Sequence, residues 1–381
     1  MNFETTLIHG GIDGDEQTGA VNVPIYQTST YKQLGMGEHK GYEYSRTGNP
    51  TRHALETLIA ELEEGSAGFA FASGMAAITA VLMLFRSGDK VLISSNIYGG
   101  TYRVLDKVFK NFGLEYEIVD TNNVEQLKSR IDKTVKALFI ETPANPLMSI
   151  TDIGEAVRAA RENGILTIVD NTFMTPYLQK PLKLGADIVV HSATKFLGGH
   201  SDLVAGLVVV NSEELAQRLH FTQNSTGGIL NPFDSWLLIR GIKTLSVRMD
   251  RHIENATEIS RYLLSNAAVD KVYYPGLESH PGYGIHRRQA AGPGAVISFT
   301  LKEGYDVAQF VKALKVVTLG ESLGGVESLL THPATMTHAA IPYELRQEMG
   351  IVDGLVRLSV GIENKGDLIN DIQRAIDVSK K

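Results

Sequence analysis

Four short apolar runs in this chain each end on residues that can do chemistry. Val91-Leu92-Ile93 runs into Ser94, Ser95, Asn96 and Tyr98-Gly99-Gly100. Phe139-Ile140 runs into Glu141-Thr142-Pro143-Ala144-Asn145-Pro146, Ile168-Val169 into Asp170-Asn171-Thr172, and Val189-Val190 into His191-Ser192-Ala193-Thr194-Lys195. Taken singly, each residue has an ordinary reading. An Asp after a strand commonly caps a turn, most lysines are solvated, and a tyrosine can pack with its hydroxyl satisfied. Taken together they describe one rim carrying an amine, a carboxylate, an aromatic face, hydroxyls and an amide. That set suits pyridoxal 5′-phosphate. Lys195 would bond the aldehyde, and Asp170 would pair with the pyridine nitrogen and keep it protonated, making the ring an electron sink. Tyr98 would stack on the ring. Ser73-Gly74-Met75 opens an apolar helix whose N–H groups can hold a phosphate, and Gly74 removes the side chain that would keep the phosphate away.

Such a rim needs elements to position it. Between Leu55 and Val210 apolar runs alternate with helical spacing. Strands are expected at Val91–Ile93, Tyr116–Val119, Ala137–Ile140, Leu166–Val169, Asp187–Val190 and Gly206–Val210. Helices are expected through Leu84, over Thr101–Phe112, Val124–Ile131 and Ile153–Arg161. Continuous apolar strands separated by helices predict a mostly parallel sheet covered on both faces. In such a sheet ligands bind at the carboxyl ends of the strands, where the polar residues stand. The first 45 residues, with Gly10-Gly11, Gly14, Gly19, Pro24, Gly35, Gly37 and Gly41, read as an extended arm that packs on something else. The alternation stops near residue 242. The expected organisation is therefore an arm (1–45), a cofactor domain (46–241) and a smaller α+β domain (242–381).

Composition narrows the alternatives. The chain has 381 residues, 43% hydrophobic and 21% charged, with no cysteine. That excludes disulfides, thiolate metal sites and a cysteine nucleophile. With 36 basic against 43 acidic residues, the net charge of −7 offers nothing to nucleic acid or to an anionic membrane. No apolar stretch is long enough to span a bilayer, and no basic segment followed by an apolar run opens the chain, so a cytoplasmic protein is expected. On that expectation Asn224-Ser225-Thr226 and Asn255-Ala256-Thr257 match the glycosylation pattern by chance. His191, His200, His332 and His338 lack the spacing of a helical zinc site, so no metal is expected.

Along nearly its whole length the chain resembles the Cys/Met-metabolism family of pyridoxal-phosphate enzymes, the cystathionine γ-lyase and γ-synthase group. The resemblance rests on Tyr42-Glu43-Tyr44-Ser45-Arg46-Thr47-Gly48-Asn49-Pro50, Ser73-Gly74-Met75-Ala76-Ala77, Val169-Asp170-Asn171-Thr172-Phe173, and His191 to Asp202. Glu321-Ser322-Leu323-Gly324-Gly325-Val326-Glu327-Ser328-Leu329 and Arg357-Leu358-Ser359-Val360-Gly361 extend it. It implies an α/β fold of type I, with a mostly parallel sheet in the large domain and a smaller α+β C-terminal domain. It implies that Lys195 carries the cofactor and shuttles protons, with Tyr98 as its catalytic companion. Asp170, Gly74, Met75, Ser192 and Thr194 would hold the cofactor, and Tyr44 and Arg46 would reach the phosphate in a neighbouring subunit of a homotetramer built as a dimer of dimers. Arg357, Ser328 and Asn145 would grip the substrate carboxylate, Glu327 would receive the distal ammonium of cystathionine, and Arg103 would line the distal pocket. A guanidinium within the apolar strand Leu355-Val356-Arg357-Leu358 fits such a grip, since an unpaired charge there would be costly.

Within the family, details favour lysis at the γ carbon. Relatives specialised for methionine usually carry Cys where Gly100 stands. β-Lyases of the enterobacterial type usually have an apolar or aromatic residue at the place of Glu327. γ-Synthases commonly have a basic residue where Thr47 stands, and Glu43 precedes the motif tyrosine as in many γ-lyases.

Overall fold

The apolar runs become strands because β-branched and aliphatic residues fill both faces of a buried sheet. The computed structural model describes residues 1–381 except 13, 16, 338 and 340–342, and gives the backbone alone at 345 and 348. Seven strands build the first sheet: β1 (Ala67–Phe71), β2 (Lys90–Ser94), β3 (Glu115–Val119), β4 (Val135–Glu141), β5 (Leu166–Asp170), β6 (Ile188–Ser192) and β7 (Gly206–Val210). Their order is β1-β7-β6-β5-β4-β2-β3. From β6 to β3 the neighbours are parallel, and β7 runs antiparallel to β6 and β1. The carboxyl ends of β2, β4, β5 and β6 therefore open on one edge, as the polar strand ends require.

Strand β1 escapes the periodicity because Ala-Gly-Phe-Ala-Phe is short and glycine-bearing. It is specified by its partner: every residue from Ala67 to Phe71 pairs with β7. Gly68 is needed there, since a Cβ would stand 2.3 Å from the Glu56 carbonyl oxygen. The helix expected over Thr101–Phe112 divides into an α-helix at Gly99–Lys107 and a 3₁₀ turn at Phe109–Phe112.

The second sheet is formed by β8 (Val269–Tyr273), β9 (Val296–Leu301), β10 (Thr318–Leu319), β11 (Leu329–Thr331) and β12 (Leu355–Ser359), in the order β10-β11-β12-β9-β8. The long helix Leu245–Ser265 connects the two sheets. Its residues Met249, Ala256 and Ile259 belong to one apolar core that also holds Val189 of β6 and Val356 of β12. That shared core fixes the position of one sheet relative to the other.

The N-terminal residues depart from a purely extended arm. Phe3–His9 is a helix with Leu7 fully buried in the shared core. The glycines that suggested a loop allow this docking. Gly11 adopts φ +64°, and a Cβ there would come 2.4 Å from the Ala54 carbonyl oxygen. Further along the segment Val21, Leu34 and Met36 are exposed.

Among the described residues, no helix is long and apolar enough to cross a membrane.

Candidate active site

The turn after β6 brings Lys195 over the sheet edge. Thr194 Oγ1 accepts from the Ala205 N–H at 3.0 Å, and the Lys195 N–H donates to the Ser192 carbonyl at 3.2 Å. The Lys195 side chain reaches the cavity, where Nζ donates to Ser322 Oγ at 2.8 Å. Burial and the nearby Arg357 guanidinium lower its pKa to about 8, with the Glu321 carboxylate acting in the opposite sense. A desolvated lysine of this kind has its free amine available near neutral pH.

The helix Gly74–Leu82 points its N-terminus at the end of β6. Ser73 caps it, its Oγ accepting from the Ala76 N–H at 3.0 Å. A Cβ on Gly74 would stand 2.9 Å from Ser192 Cβ. Only glycine lets the first turn and the Ser192 hydroxyl approach the same volume, where free N–H groups and a hydroxyl could hold a phosphate.

Asp170 ends β5 and is 8% exposed. Its Oδ1 accepts from the Thr172 N–H at 3.0 Å. Burial raises its pKa, while Thr172 and the buried His191 favour the charged form. It makes no ion pair among the described residues, so a cationic partner such as a protonated pyridine nitrogen fits it.

Arg357 lies within β12 at 3% exposure. Its Nη1 donates to Asn145 Oδ1 at 3.0 Å, and its Nη2 donates to the Ser322 carbonyl at 2.8 Å and to Thr331 Oγ1 at 2.9 Å. All three acceptors are neutral, and Nε has no partner. Burial lowers its pKa to about 10. A guanidinium fixed by neutral acceptors keeps its charge for an incoming carboxylate.

These groups line one cavity of about 310 Å³. Of the residues expected from sequence, it collects Lys195, Tyr98, Asp170, Gly74, Met75, Ser192, Thr194, Asn145 and Arg357. Tyr98 is 44% exposed at its mouth.

Five expected residues stand elsewhere. Glu327 contacts the Ser201 hydroxyl. Ser328 is buried away from the cavity, its N–H and hydroxyl donating to the Glu363 carboxylate at 2.7 and 2.9 Å. Arg103 is exposed on the helix Gly99–Lys107. Tyr44 and Arg46 line a separate cavity of about 300 Å³ with Gln27 to Ser29 and Ile229. In place of Glu327 and Ser328, the cavity holds Glu321 and Ser322. The same dipeptide occurs twice, six residues apart, and sequence reasoning chose the wrong copy for this cavity. Sequence reasoning also left Glu141 without a role, although it stands in a strand-end cluster.

The histidines have separate occupations. His191 Nε2 lies 2.7 Å from Glu63 Oε1, His200 contacts the Gly198 carbonyl, and His332 contacts Thr335 and the Asp353 carbonyl. His338 lies outside the described residues. Among those described, no group of three His, Asp or Glu side chains is arranged to hold a metal.

Comparison with known proteins identifies the family. The family model for the Cys/Met metabolism PLP-dependent enzymes matches residues 4–377. The chain is 58% identical to a cystathionine γ-lyase of Bacillus subtilis over 377 residues, covering 99% of this chain and 100% of that one. It is 57% identical to a cystathionine β-lyase of Lactococcus lactis subsp. cremoris, covering 99% of each. The crystal structure of cystathionine γ-lyase from Lactobacillus plantarum, complexed with L-serine, superposes with a TM-score of 0.97 at 51% identity. That match covers 100% of this chain and 99% of the other. With a type I fold and a family match that spans nearly its whole length, the chain belongs to the Cys/Met metabolism PLP-dependent enzymes, and pyridoxal 5′-phosphate is its cofactor.

Proposed function

We propose that the protein is a cystathionine γ-lyase, converting L-cystathionine and water to L-cysteine, 2-oxobutyrate and ammonia. The observation that carries this reading is the convergence of Lys195, Arg357 and Glu321 on one cavity. An amine base, a carboxylate grip and a separate acidic group suit an amino acid that carries a second ammonium at its far end.

Bound pyridoxal phosphate supplies an aldehyde for the amine and a ring that accepts electrons from the bond broken at the α carbon. Gly74, Met75, Ser192 and Thr194 would hold its phosphate, and Asp170 would pair with its ring nitrogen. The chain's own groups do the rest. Arg357, oriented by Asn145, binds the α-carboxylate. That fixes the α C–H toward Lys195 Nζ, whose neutral amine takes the proton. Tyr98 would cover the ring and, with Lys195, return a proton to the departing sulfur. Glu321 takes the role expected of Glu327, holding the distal ammonium, and Ser322 the place expected of Ser328. A thiolate leaves readily, so β-elimination from cystathionine or cysteine and γ-elimination from homocysteine, with release of hydrogen sulfide from the two thiols, are expected as side activities.

Tyr44 and Arg46 serve the phosphate of a neighbouring subunit in this reading. The Arg46 guanidinium sits 5.3 Å from the Tyr44 ring centre and donates to Asn224 Oδ1 at 3.3 Å, which leaves its other nitrogens to face outward. The protein would then be a dimer with shared sites, paired into a tetramer.

The second reading is a β-lyase, favoured by the 57% identity to the Lactococcus enzyme. Product analysis with purified protein and cystathionine decides. Cysteine with 2-oxobutyrate supports the γ-lyase, and homocysteine with pyruvate supports the β-lyase. Condensation of an O-acyl-homoserine with cysteine, without lysis, would replace both with a γ-synthase.

A further inference from the structure

We propose that Glu141 carries the proton of a carboxyl pair with Asp170 and, held neutral, is the positioning residue that ties Tyr98 to the Asn145–Arg357 grip. The proposal rests on the roles of Tyr98 and Arg357 given above, but not on which carbon–sulfur bond is cut.

Glu141 and Asp170 are register partners on the parallel neighbours β4 and β5. Aligned residues of parallel strands send their side chains to the same face, and both line the cavity. They are 6% and 8% exposed. Two carboxylates side by side, away from water, cannot both ionise cheaply, so their surroundings decide which one keeps the proton.

The partners divide them. Asp170 accepts from the Thr172 N–H, and the Thr172 hydroxyl and the His191 imidazole behind it also favour its charged form. The cofactor's pyridine nitrogen would favour that form further. Glu141 faces the Asp170 charge from β5 and the Arg357 charge from β12, which oppose each other. The N-terminus of the helix Gly99–Lys107 adds modest support for a negative charge. Lys195 and Glu321 complete the charged lining. Burial and the Asp170 carboxylate outweigh the rest and push Glu141 up to about 8.

A neutral carboxyl still performs the contacts seen. Oε2 accepts from the Tyr98 N–H at 2.6 Å, and Oε1 accepts from the Asn145 N–H at 3.4 Å. Tyr98 carries the aromatic ring at the cavity mouth, and Asn145 Oδ1 receives Arg357 Nη1. One side chain thus connects the backbone of the stacking residue to the backbone of the residue that aims the arginine.

The test compares holoenzyme forms of the wild type, Glu141→Gln and Glu141→Ala. Its readouts are visible circular dichroism of the bound cofactor, and kcat and KM with cystathionine. The glutamine variant is permanently neutral and keeps one acceptor oxygen, for the Tyr98 N–H, while its amide nitrogen gives up the longer Asn145 contact. It should keep the wild-type dichroism and stay within about fivefold in kcat/KM, the worth of that one neutral hydrogen bond. The alanine variant should lose the dichroic signature and roughly 10²-fold in kcat/KM, as expected when reacting groups are misplaced. Raising the pH through about 8 should change the wild-type dichroism, because an ionised Glu141 would be repelled by the Asp170 carboxylate beside it, while the glutamine variant, which cannot ionise, should not follow.

An alanine variant that matches the wild type would overturn the positioning role. A glutamine variant that fails like alanine would overturn the claim that a neutral side chain at 141 holds the two segments together. Wild-type dichroism as flat as that of the glutamine variant would remove the proton from Glu141. Should the alanine variant not bind cofactor, the pH comparison between wild type and glutamine still decides. The dichroism does not need cystathionine, so failure of the γ-lyase reading leaves this test intact.

Discussion

Ser322 touches both ends of the proposed chemistry: its hydroxyl accepts from Lys195 Nζ at 2.8 Å and its carbonyl accepts from Arg357 Nη2 at 2.8 Å. It does so at φ +119°, a backbone conformation that side-chain-bearing residues rarely adopt. The cofactor lysine and the carboxylate-binding arginine are thus set against one strained residue. Ser322→Ala keeps the carbonyl contact and removes the hydroxyl. It should lower kcat by about fivefold, with KM nearly unchanged, because the loss falls on the lysine side alone. Steady-state kinetics check this, and a rise confined to KM would contradict it.

Lys195→Ala should abolish the yellow colour of the covalently held cofactor and lower turnover by about 10²–10⁴-fold, the usual contribution of a positioned base. Absorbance spectra and borohydride reduction measure it. A reducible cofactor bond surviving in the variant would sink the lysine assignment.

Gly74→Ala places a methyl 2.9 Å from Ser192 Cβ, inside the phosphate cradle. Affinity for pyridoxal phosphate should fall at least about 10-fold, and the cofactor-free melting temperature should fall too, since the clash is with Ser192 Cβ and Cα, which move only with the backbone of β6. Equilibrium titration of the apoprotein with cofactor reads the first effect and thermal melting the second.

Two subunits carrying different lesions test the shared site. Lys195→Ala and Arg46→Ala are each expected to be inactive or severely weakened. Mixed after subunit exchange, they should regain activity, because a hybrid dimer would hold one site with both residues intact. No recovery, with exchange demonstrated by mass spectrometry, would place Arg46 outside its neighbour's chemistry.

Acid should destabilise the fold through its buried histidines. His252 and His286 are both fully buried, and burial depresses each to about 4. Above the unfolded value of about 6.5 both states are neutral and the stability is fully present. Between about 6.5 and 4 the unfolded chain binds protons that the folded chain refuses, so stability falls as pH falls. Thermal melts from about pH 7.5 down to 5 should show a decreasing melting temperature that begins near 6.5. A flat profile would mean these imidazoles accept protons without unfolding.

Much of this protein was decided locally, and local decisions can be read in a sequence. Val91 to Ser94, Ala137 to Glu141, Leu166 to Asp170 and Ile188 to Ser192 are apolar runs that end on polar residues, so they announced both a buried parallel sheet and the rim of its site. Lys195, Asp170 and Gly74 were legible for the same reason: each sits within a few residues of the strand or helix end that holds it. The Phe3–His9 helix and β1 were not. Both are short, β1 is rich in small residues, and the seven residues of the helix carry too little pattern to stand out; each lies against a partner, the helix Pro50–Glu63 or strand β7, that holds it.

The repeated Glu-Ser dipeptide marks the boundary between the two kinds of information. Sequence established that an acidic residue and a hydroxyl follow Gly320 twice, at Glu321-Ser322 and at Glu327-Ser328, with no local feature to rank them. Tertiary structure ranked them. Gly324 turns at φ +78°, in a position where a Cβ would lie 2.5 Å from the Phe196 backbone nitrogen, so the turn docks directly on the lysine-bearing loop. The first pair then faces Lys195 and Arg357. The second is carried back toward Ser201 and the Glu363 carboxylate. A close backbone approach between residues more than 120 positions apart chose the site, and no run of neighbouring residues encodes such a contact.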